Sequence, residues 1–367
     1  MPRPIRAAIQ PEALAHNLRV IAARLPGRTL MPVVKANAYG HGLARVIGGL
    51  QAADQLAILE LDGALELRRL GWTKPIVLLE GCFGEEDMQA ARHAGLDWVI
   101  HDHAQLEALR VAMPNWPKEA HKPRLYLKLN TGMNRLGFDA QGAAAAIELL
   151  DKITTSAGWP APVLMTHFAN ADSHDLMRAH PGPEGQFNAL MALKPAHWAS
   201  SLANSAGVFN CPQWAGDVVR PGIAVYGATP GPHSAADYGL LPAMALTSQI
   251  IAVQQVPAGQ RVGYGSRWLA QRDSRIAVIA CGYADGYPRH APDGTPVWLQ
   301  GTMAPVAGRV SMDMMSIDIT EIPSAGVGTE VELWGNNLSV DVVAHHCGTI
   351  GYELLCAVTP RVPFVVM

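Results

Sequence analysis

Val33-Val34-Lys35-Ala36-Asn37-Ala38-Tyr39-Gly40-His41-Gly42 places an apolar run directly before a lysine and a flexible, polar turn directly after it. A lysine in this setting is a buried charge that needs a partner, a structural side chain in a barrel interior, or a nucleophile. Burial disfavours the ammonium form and frees the amine to attack a carbonyl and hold it as a Schiff base. Which role applies depends on where the run sits in the fold.

Upstream, Pro11 opens a helical stripe formed by Leu14, Leu18, Ile21 and Leu25. Downstream, short apolar runs recur at 55–59, 75–80, 96–100, 124–129, 163–167, 198–202 and 218–226, which makes eight with the run ending at Lys35. The segments between them, such as 62–70, 85–94, 104–112 and 140–151, have the length and spacing of crossover helices, which forces parallel pairing. Eight such units predict an α/β fold with an N-terminal (β/α)8 TIM-type barrel. A doubly wound open sheet is the alternative, but no Gly-x-Gly-x-x-Gly turn follows the first strand. Barrel chemistry sits at the carboxyl ends of strands, where Lys35, Lys128, His167 and Arg220 fall.

Past Thr229-Pro230-Gly231-Pro232 the pattern changes to strand-like runs at 250–253, 275–280, 296–299, 315–319 and 330–333, separated by Gly/Pro turns. The expected division is therefore a barrel over 1–230, with the extreme N-terminus packing on the second unit, and a mainly β domain over 231–367.

The chain has 367 residues, a formal net charge of −3 and 49% apolar residues. This length and apolar content exclude disorder, and the charge provides no global footprint for nucleic acid or an anionic membrane. Any anionic ligand must be held locally. With no long apolar segment at its start and none able to span a bilayer, the chain is expected to be cytoplasmic. The five cysteines, Cys82, Cys211, Cys281, Cys347 and Cys356, are scattered and read as reduced, mostly buried thiols. Neither His101-Asp102-His103 nor His345-His346-Cys347 has a second ligand pair at zinc-like spacing, so no metal is expected.

Three loops carry the remaining chemistry. Lys128-Leu129-Asn130-Thr131-Gly132-Met133-Asn134-Arg135-Leu136-Gly137 offers Arg135 as a fork for a carboxylate, against the alternative of a surface arginine. Asn204-Ser205-Ala206-Gly207 and Arg220-Pro221-Gly222-Ile223 follow the seventh and eighth strands and could cradle a phosphate. A phosphate cradle and a Schiff-base lysine together point to pyridoxal 5'-phosphate.

The chain resembles the alanine racemases. Residues 33–42 match that family's lysine signature, and Thr166-His167-Phe168-Ala169, Gly263-Tyr264-Gly265, Gly282-Tyr283-Ala284-Asp285-Gly286-Tyr287, Gly308-Arg309-Val310-Ser311-Met312-Asp313 and Gly351-Tyr352-Glu353 are further segments that match the family. The match runs in order through almost the whole chain. The resemblance implies that Lys35 holds the cofactor, that Tyr39, Ser205, Gly222, Ile223 and Tyr352 contact its phosphate, and that Arg220 faces its ring nitrogen, with His167 and Asn204 alongside. An arginine does not readily give up its proton, so the ring would be a weaker electron sink.

Racemisation needs a base on one face of the α-carbon and an acid on the other. By resemblance Lys35 serves one face and Tyr264 of a second subunit serves the other, in a homodimer with shared active sites. Arg135 and the partner's Met312 amide would bind the substrate carboxylate. Tyr283 and Tyr352 would form the inner gate, with Asp172, Arg289, Arg309 and Ile350 further out. Asn130 stands where many relatives carry aspartate and Ser201 where many carry histidine, so the support of Lys128 and Arg220 should differ. The residue matching Lys128 is carbamylated in many relatives. A related barrel decarboxylase, a secreted broad-specificity racemase and a non-catalytic single-domain cofactor-binding protein are the rival readings. The last of these has no β domain.

Overall fold

The computed structural model describes residues 3–116, 121–173, 175–178 and 180–367. Six consecutive parallel strands form its central sheet: β3 (Leu56–Ile58), β4 (Ile76–Leu78), β5 (Asp97–Ile100), β6 (Leu125–Lys128), β7 (Val163–Met165) and β8 (Ala199–Ser201). These strands are largely buried, and β3, β4 and β7 read as unbroken apolar runs rather than alternating ones, while β5 begins with Asp97, β6 ends with Lys128 and β8 is Ala-Ser-Ser. A parallel pair, β2 (Thr29–Leu30) with β9 (Val218–Val219), closes the ring. Val34 N–H donates to Ala57 O on one side of it, and on the other Arg220 N–H donates to Ala203 O.

Helices wrap the outside. Leu61–Arg69 buries Ala64 and Leu67, Glu85–His93 buries Met88 and Ala91, and Ala140–Ala157 buries Ala143, Ala146, Ile147, Leu150 and Ile153. That i, i+3, i+4, i+7 spacing lays one stripe against the sheet. Asp139 caps the long helix by accepting from Gln141 and Gly142 N–H, and Gly158 ends it in the left-handed region. The helix therefore runs six residues beyond the expected 140–151.

The extended stretch expected over 218–226 is shorter in the structure. After β9, Pro221 and Gly222 turn the chain into the single 3-10 turn Ile223–Tyr226, because proline brings no N–H to a ladder. Lys35 likewise lies just past its strand, as the first residue of a turn.

A second sheet gathers the chain's two ends. β1 (Arg6–Ile9) pairs antiparallel with β10 (Met244–Val256) and parallel with β18 (Phe364–Val366). β10 also pairs with β13 (Ser274–Ile279) and β17 (Glu330–Trp334), its register shifting between Ile250 and Ala252 and between Leu246 and Thr247. Such bulges bend a long strand so that it serves two surfaces. β14 (Pro296–Leu299), β15 (Thr302–Pro305) and β16 (Met315–Asp318) complete the layer. A separate ribbon, β11 (Arg261–Val262) with β12 (Trp268–Leu269), carries Tyr264 in the turn between its strands. The helices Val340–His346 and Gly351–Ala357 return the chain to the barrel mouth, where a Cβ at Gly40 would overlap the Leu355 carbonyl.

Four cysteines are buried, Cys356 is exposed, and none of the five is paired. Among the described residues no helix is long and apolar enough to cross a membrane, and no group of three or more His, Cys, Asp or Glu could hold a metal.

Candidate active site

Lys35 opens a turn of unusual hand. Ala36, Asn37, Ala38 and Tyr39 have φ of 52°, 52°, 57° and 50°, and Gly40 follows at 81°. Left-handed backbone costs an L-residue about 1–2 kcal/mol, so four in succession persist only where the surroundings impose them. Ala38 N–H reaches Val34 O and Gly40 N–H reaches Ala36 O, both at 3.0 Å. Asn37 Oδ1 accepts from Leu43 N–H. The turn projects Lys35 and Tyr39 from the carboxyl end of the barrel into a cavity of about 500 Å³.

Arg220 forms the floor of that cavity and is buried. Its Nη2 donates to Thr166 O at 2.6 Å and Leu202 O at 3.1 Å, and most loosely to His167 Nδ1 at 3.4 Å. Its Nη1 donates to the Ser201 hydroxyl, which in turn donates to Val218 O at 2.7 Å. Ser201 therefore fixes the guanidinium from behind. Burial pushes the arginine down to about 10, which leaves it charged at neutral pH.

His167 is held neutral. Burial, then Arg220, Lys128, Arg135 and Lys35, lower it well below its ordinary value. Both ring nitrogens also face donors, Arg220 at Nδ1 and Asn204 Nδ2 at Nε2. The Asn204 amide cannot turn freely, since its Oδ1 caps the following helix by accepting from Gly207 N–H at 2.9 Å.

Two helix starts converge beside these residues. Ser205 begins Ser205–Asn210 and Ile223 begins Ile223–Tyr226. Ser205 Oγ accepts from Gly222 N–H at 2.8 Å and Ala224 N–H at 3.2 Å, tying the two loops together. First-turn amides have no carbonyl of their own helix to bond, so this corner presents N–H groups to an anion. A Cβ at Gly222 would overlap the Tyr39 hydroxyl. The bare glycine thus lets that phenol lie against the loop. Burial raises the Tyr39 and Tyr352 phenols, which stay protonated donors.

Lys128 and Arg135 complete the lining. Burial, with Arg220 and Arg135 next in weight, pushes Lys128 down to about 8. Asn130 does not support it. Instead Asn130 Oδ1 accepts from Gly132 and Asn134 N–H, shaping the loop that carries Arg135. Glu80, which the sequence reading passed over, is the one carboxylate in the lining among the described residues, where Lys35, Lys128, Arg135 and Arg220 also stand. Its position at the end of the apolar run before Gly81 is the signal that could have found it. Three cations, Lys128, Arg135 and Arg220, a cradle of amides and the Lys35 amine fit a phosphorylated carbonyl compound with a carboxylate substrate.

Tyr264, Met312, Tyr283, Arg309, Arg289, Ile350 and Asp172 do not line this cavity. Four of them are neighbours elsewhere: Tyr283 N–H donates to Ser311 O, Ala284 N–H to Met312 O, and the loop at Gly263 packs on Arg309. Tyr264 and Met312 are 69% and 53% exposed, Tyr283 and Ile350 are exposed as well, and Asp172 and Arg289 lie at the surface.

Comparison with known proteins covers both sheets. Residues 9–230 match the family model described as alanine racemase, N-terminal domain, and residues 243–366 match alanine racemase, C-terminal domain. The chain is 48% identical over 366 residues to an alanine racemase of Paraburkholderia phytofirmans, covering 99% of each. It is 45% identical over 369 residues to a catabolic alanine racemase of Salmonella typhimurium, covering 100% of this chain and 99% of that protein. The biosynthetic alanine racemase structure from Pseudomonas aeruginosa superposes with a TM-score of 0.91 at 44% identity, covering 100% of this chain and 99% of that one. The structure from Bartonella henselae, which has covalently bound pyridoxal phosphate, gives 0.87 at 27%, with full coverage of both. Full-length matches in both sheets, together with a cationic, lysine-bearing barrel mouth, show that the chain belongs to the alanine racemase family, isomerases that depend on pyridoxal phosphate.

Proposed function

We propose that this isomerase interconverts L- and D-alanine at a site completed by two copies of the chain. One observation carries the reading. Lys35, His167 and Arg220 share a single cavity, while Tyr264 and Met312 stand exposed outside it on the same chain. A homodimer would place the partner subunit's Tyr264 and the partner subunit's Met312 over the barrel mouth.

Pyridoxal phosphate, when bound, supplies an aldehyde that condenses with amines and a ring that withdraws electrons from the substrate's α-carbon. Lys35 would hold it, with Tyr39, Ser205, Gly222, Ile223 and Tyr352 around its phosphate. Arg220 would donate to its ring nitrogen and, as a charged guanidinium, retain that proton. The Lys35 Nζ would then take or return a proton at Cα on one face. The partner subunit's Tyr264 would serve the other through its phenolic oxygen, with His167 and Arg220 behind it. Arg135 and the partner subunit's Met312 amide would orient the carboxylate. Tyr283 and Tyr352 would narrow the approach, with Asp172, Arg289, Arg309 and Ile350 outside them, favouring a methyl side chain.

Lys128 would carry a carbamate. Its neutral amine adds carbon dioxide and releases a proton, which turns a cation beside Arg135 into an anion that orients it. Five unpaired thiols suit a reducing compartment, and we place the activity in the cytoplasm. The same site would make D-alanine for peptidoglycan or consume it in catabolism.

The test is racemisation by the purified holoenzyme. Lys35→Ala should lose lysine-bound cofactor absorbance and nearly all activity. Tyr264→Phe should keep the absorbance while turnover falls by about 10²–10⁴-fold, the scale of a lost general acid–base group. In a random mixture of the two inactive chains, each heterodimer keeps one intact site, so about a quarter of wild-type activity should return. Full activity in Tyr264→Phe, or none in a mixture that demonstrably forms heterodimers, would overturn the two-chain site.

A further inference from the structure

His41 lies six residues beyond Lys35 and has no place in the reaction as described. It is wholly buried. Its Nδ1 sits 3.1 Å from Ala38 O and 3.0 Å from Tyr39 O, so that nitrogen carries the proton and shares it between two carbonyls of the left-handed turn. Nε2 is buried and has no hydrogen-bond partner in the described structure. The ring therefore uses one edge only. Burial pushes it down to about 4, so it is a neutral donor at physiological pH.

The opposite face of the ring meets Tyr226, with centroids 4.7 Å apart. Tyr226 also stacks on Tyr39 at 4.6 Å and donates its hydroxyl to Val33 O at 3.0 Å. These contacts bracket Lys35 from both sides along the chain. Tyr226 holds the carbonyl two residues before it, and His41 holds the carbonyls three and four residues after it. Between those points run four non-glycine residues that ordinarily avoid this backbone.

We infer that His41 is a positioning residue for the reaction: its Nδ1–H locks the carbonyls of Ala38 and Tyr39, and through the left-handed turn sets the Lys35 amine and the Tyr39 hydroxyl against the Gly222 loop. The role belongs to one nitrogen rather than to the ring as a whole. An asparagine places its amide nitrogen where Nδ1 lies. A glutamine carries its amide one atom further, toward the empty Nε2 side. Phenylalanine keeps the tilted ring contact with Tyr226 and removes the donor.

The inference rests on Lys35 being the cofactor lysine, and the experiment separates the two claims. Holoenzymes of His41→Asn, His41→Gln, His41→Phe and Lys35→Ala are compared for cofactor affinity by dialysis and re-addition, for lysine-bound cofactor absorbance, for kcat and KM, and for Tm. His41→Asn should stay within about threefold of wild type in cofactor affinity and kcat. His41→Gln and His41→Phe should each lose at least tenfold in cofactor affinity and in kcat, at temperatures well below their Tm. The Asn and Gln variants decide the matter by themselves if the Phe variant does not fold. Wild-type cofactor affinity and kcat in His41→Phe, or equal losses in Asn and Gln, would overturn the role of Nδ1. Retention of lysine-bound absorbance by Lys35→Ala would instead overturn the assignment of Lys35.

Discussion

Arg220 Nη2 lies 3.4 Å from His167 Nδ1 while its shorter bonds go to Thr166 O and Leu202 O. Most of the arginine's hydrogen-bonding capacity thus anchors it to the ends of β7 and β8, and its Nε, which makes none of these bonds, is left to the cavity. The guanidinium is a fixed charge in the cavity lining, with the neutral imidazole beside it.

Arg220→Lys keeps one positive charge but cannot reproduce a fork that serves Ser201, Thr166 and Leu202 together. Each buried acceptor left unsatisfied costs about 1–3 kcal/mol, so a loss of about 2–4 kcal/mol in stability is expected. Racemisation should fall by more than tenfold, and a side reaction that draws on a protonated ring, such as transamination, should become measurable. Denaturant unfolding and keto-acid release check the two parts separately.

Gly222→Ala tests the cradle. The backbone at Gly222 has φ of −109°, outside the left-handed region, so the expected strain comes from the clash with the Tyr39 hydroxyl. The phenol or the loop must move. Cofactor affinity should drop at least tenfold with a smaller change in KM for alanine, because on the proposed reading the amides of the Ser205 and Ile223 turns would face the phosphate rather than the substrate. Titration of the apoenzyme with pyridoxal phosphate, alongside KM for alanine, gives both values.

Lys128 makes stability depend on pH. Its native value of about 8 lies below the ordinary 10.5, so the native state binds this proton less readily than the unfolded chain. The penalty, about 3 kcal/mol, is fully present below pH 8 and fades as pH rises toward 10.5. In buffer free of carbon dioxide, wild type should therefore gain stability between pH 7.5 and 9.5 relative to Lys128→Met. Bicarbonate should remove that difference and raise activity in wild type alone. An identical pH profile for the two chains, with no bicarbonate response, would exclude both the buried cation and the carbamate.

The barrel was readable because most of its strands, buried on two faces, sit in short apolar runs at regular spacing, and because Lys35, His167 and Arg220 fall where those runs stop. Two stretches were not readable, each for a local reason. Ala36-Asn37-Ala38 has ordinary helix-compatible residues, and only its surroundings turn it left-handed. Val218 to Tyr226 looks continuous in hydrophobicity, yet Pro221 and Gly222 divide it. The packing of the N-terminus on the second unit was expected, but its pairing was not: Arg6–Ile9 is four residues long, and its partners in β10, Met244 to Thr247, lie more than two hundred residues away. Glu80 escaped notice because a single carboxylate at a strand end has no motif around it. Tyr264 and Met312 could be singled out only by resemblance, since exposed loop residues bear no mark of the cavity they would serve in another copy.

Asp285 is the last place where fold and site meet. Its carboxylate is fully buried, accepts from Arg3 at 2.8 and 3.1 Å and from Gly282 N–H at 2.9 Å, and forms an ion pair with Arg361 Nε at 3.0 Å. Arg361 continues to Asp313 Oδ1 at 2.8 Å, and Arg3 donates to Asp313 O at 2.6 Å. The loops carrying Tyr283 and Met312 are thereby pinned to both ends of the chain. Both arginines are more than a third exposed, so water offsets part of the loss in Asp285→Asn, and a cost of about 1–3 kcal/mol is expected. If the partner subunit's Met312 amide binds the carboxylate, loosening its loop should raise KM for alanine several-fold while kcat and cofactor absorbance change little, because Lys35 and Arg220 are untouched. A variant that loses stability but keeps its KM would limit Asp285 to holding the fold.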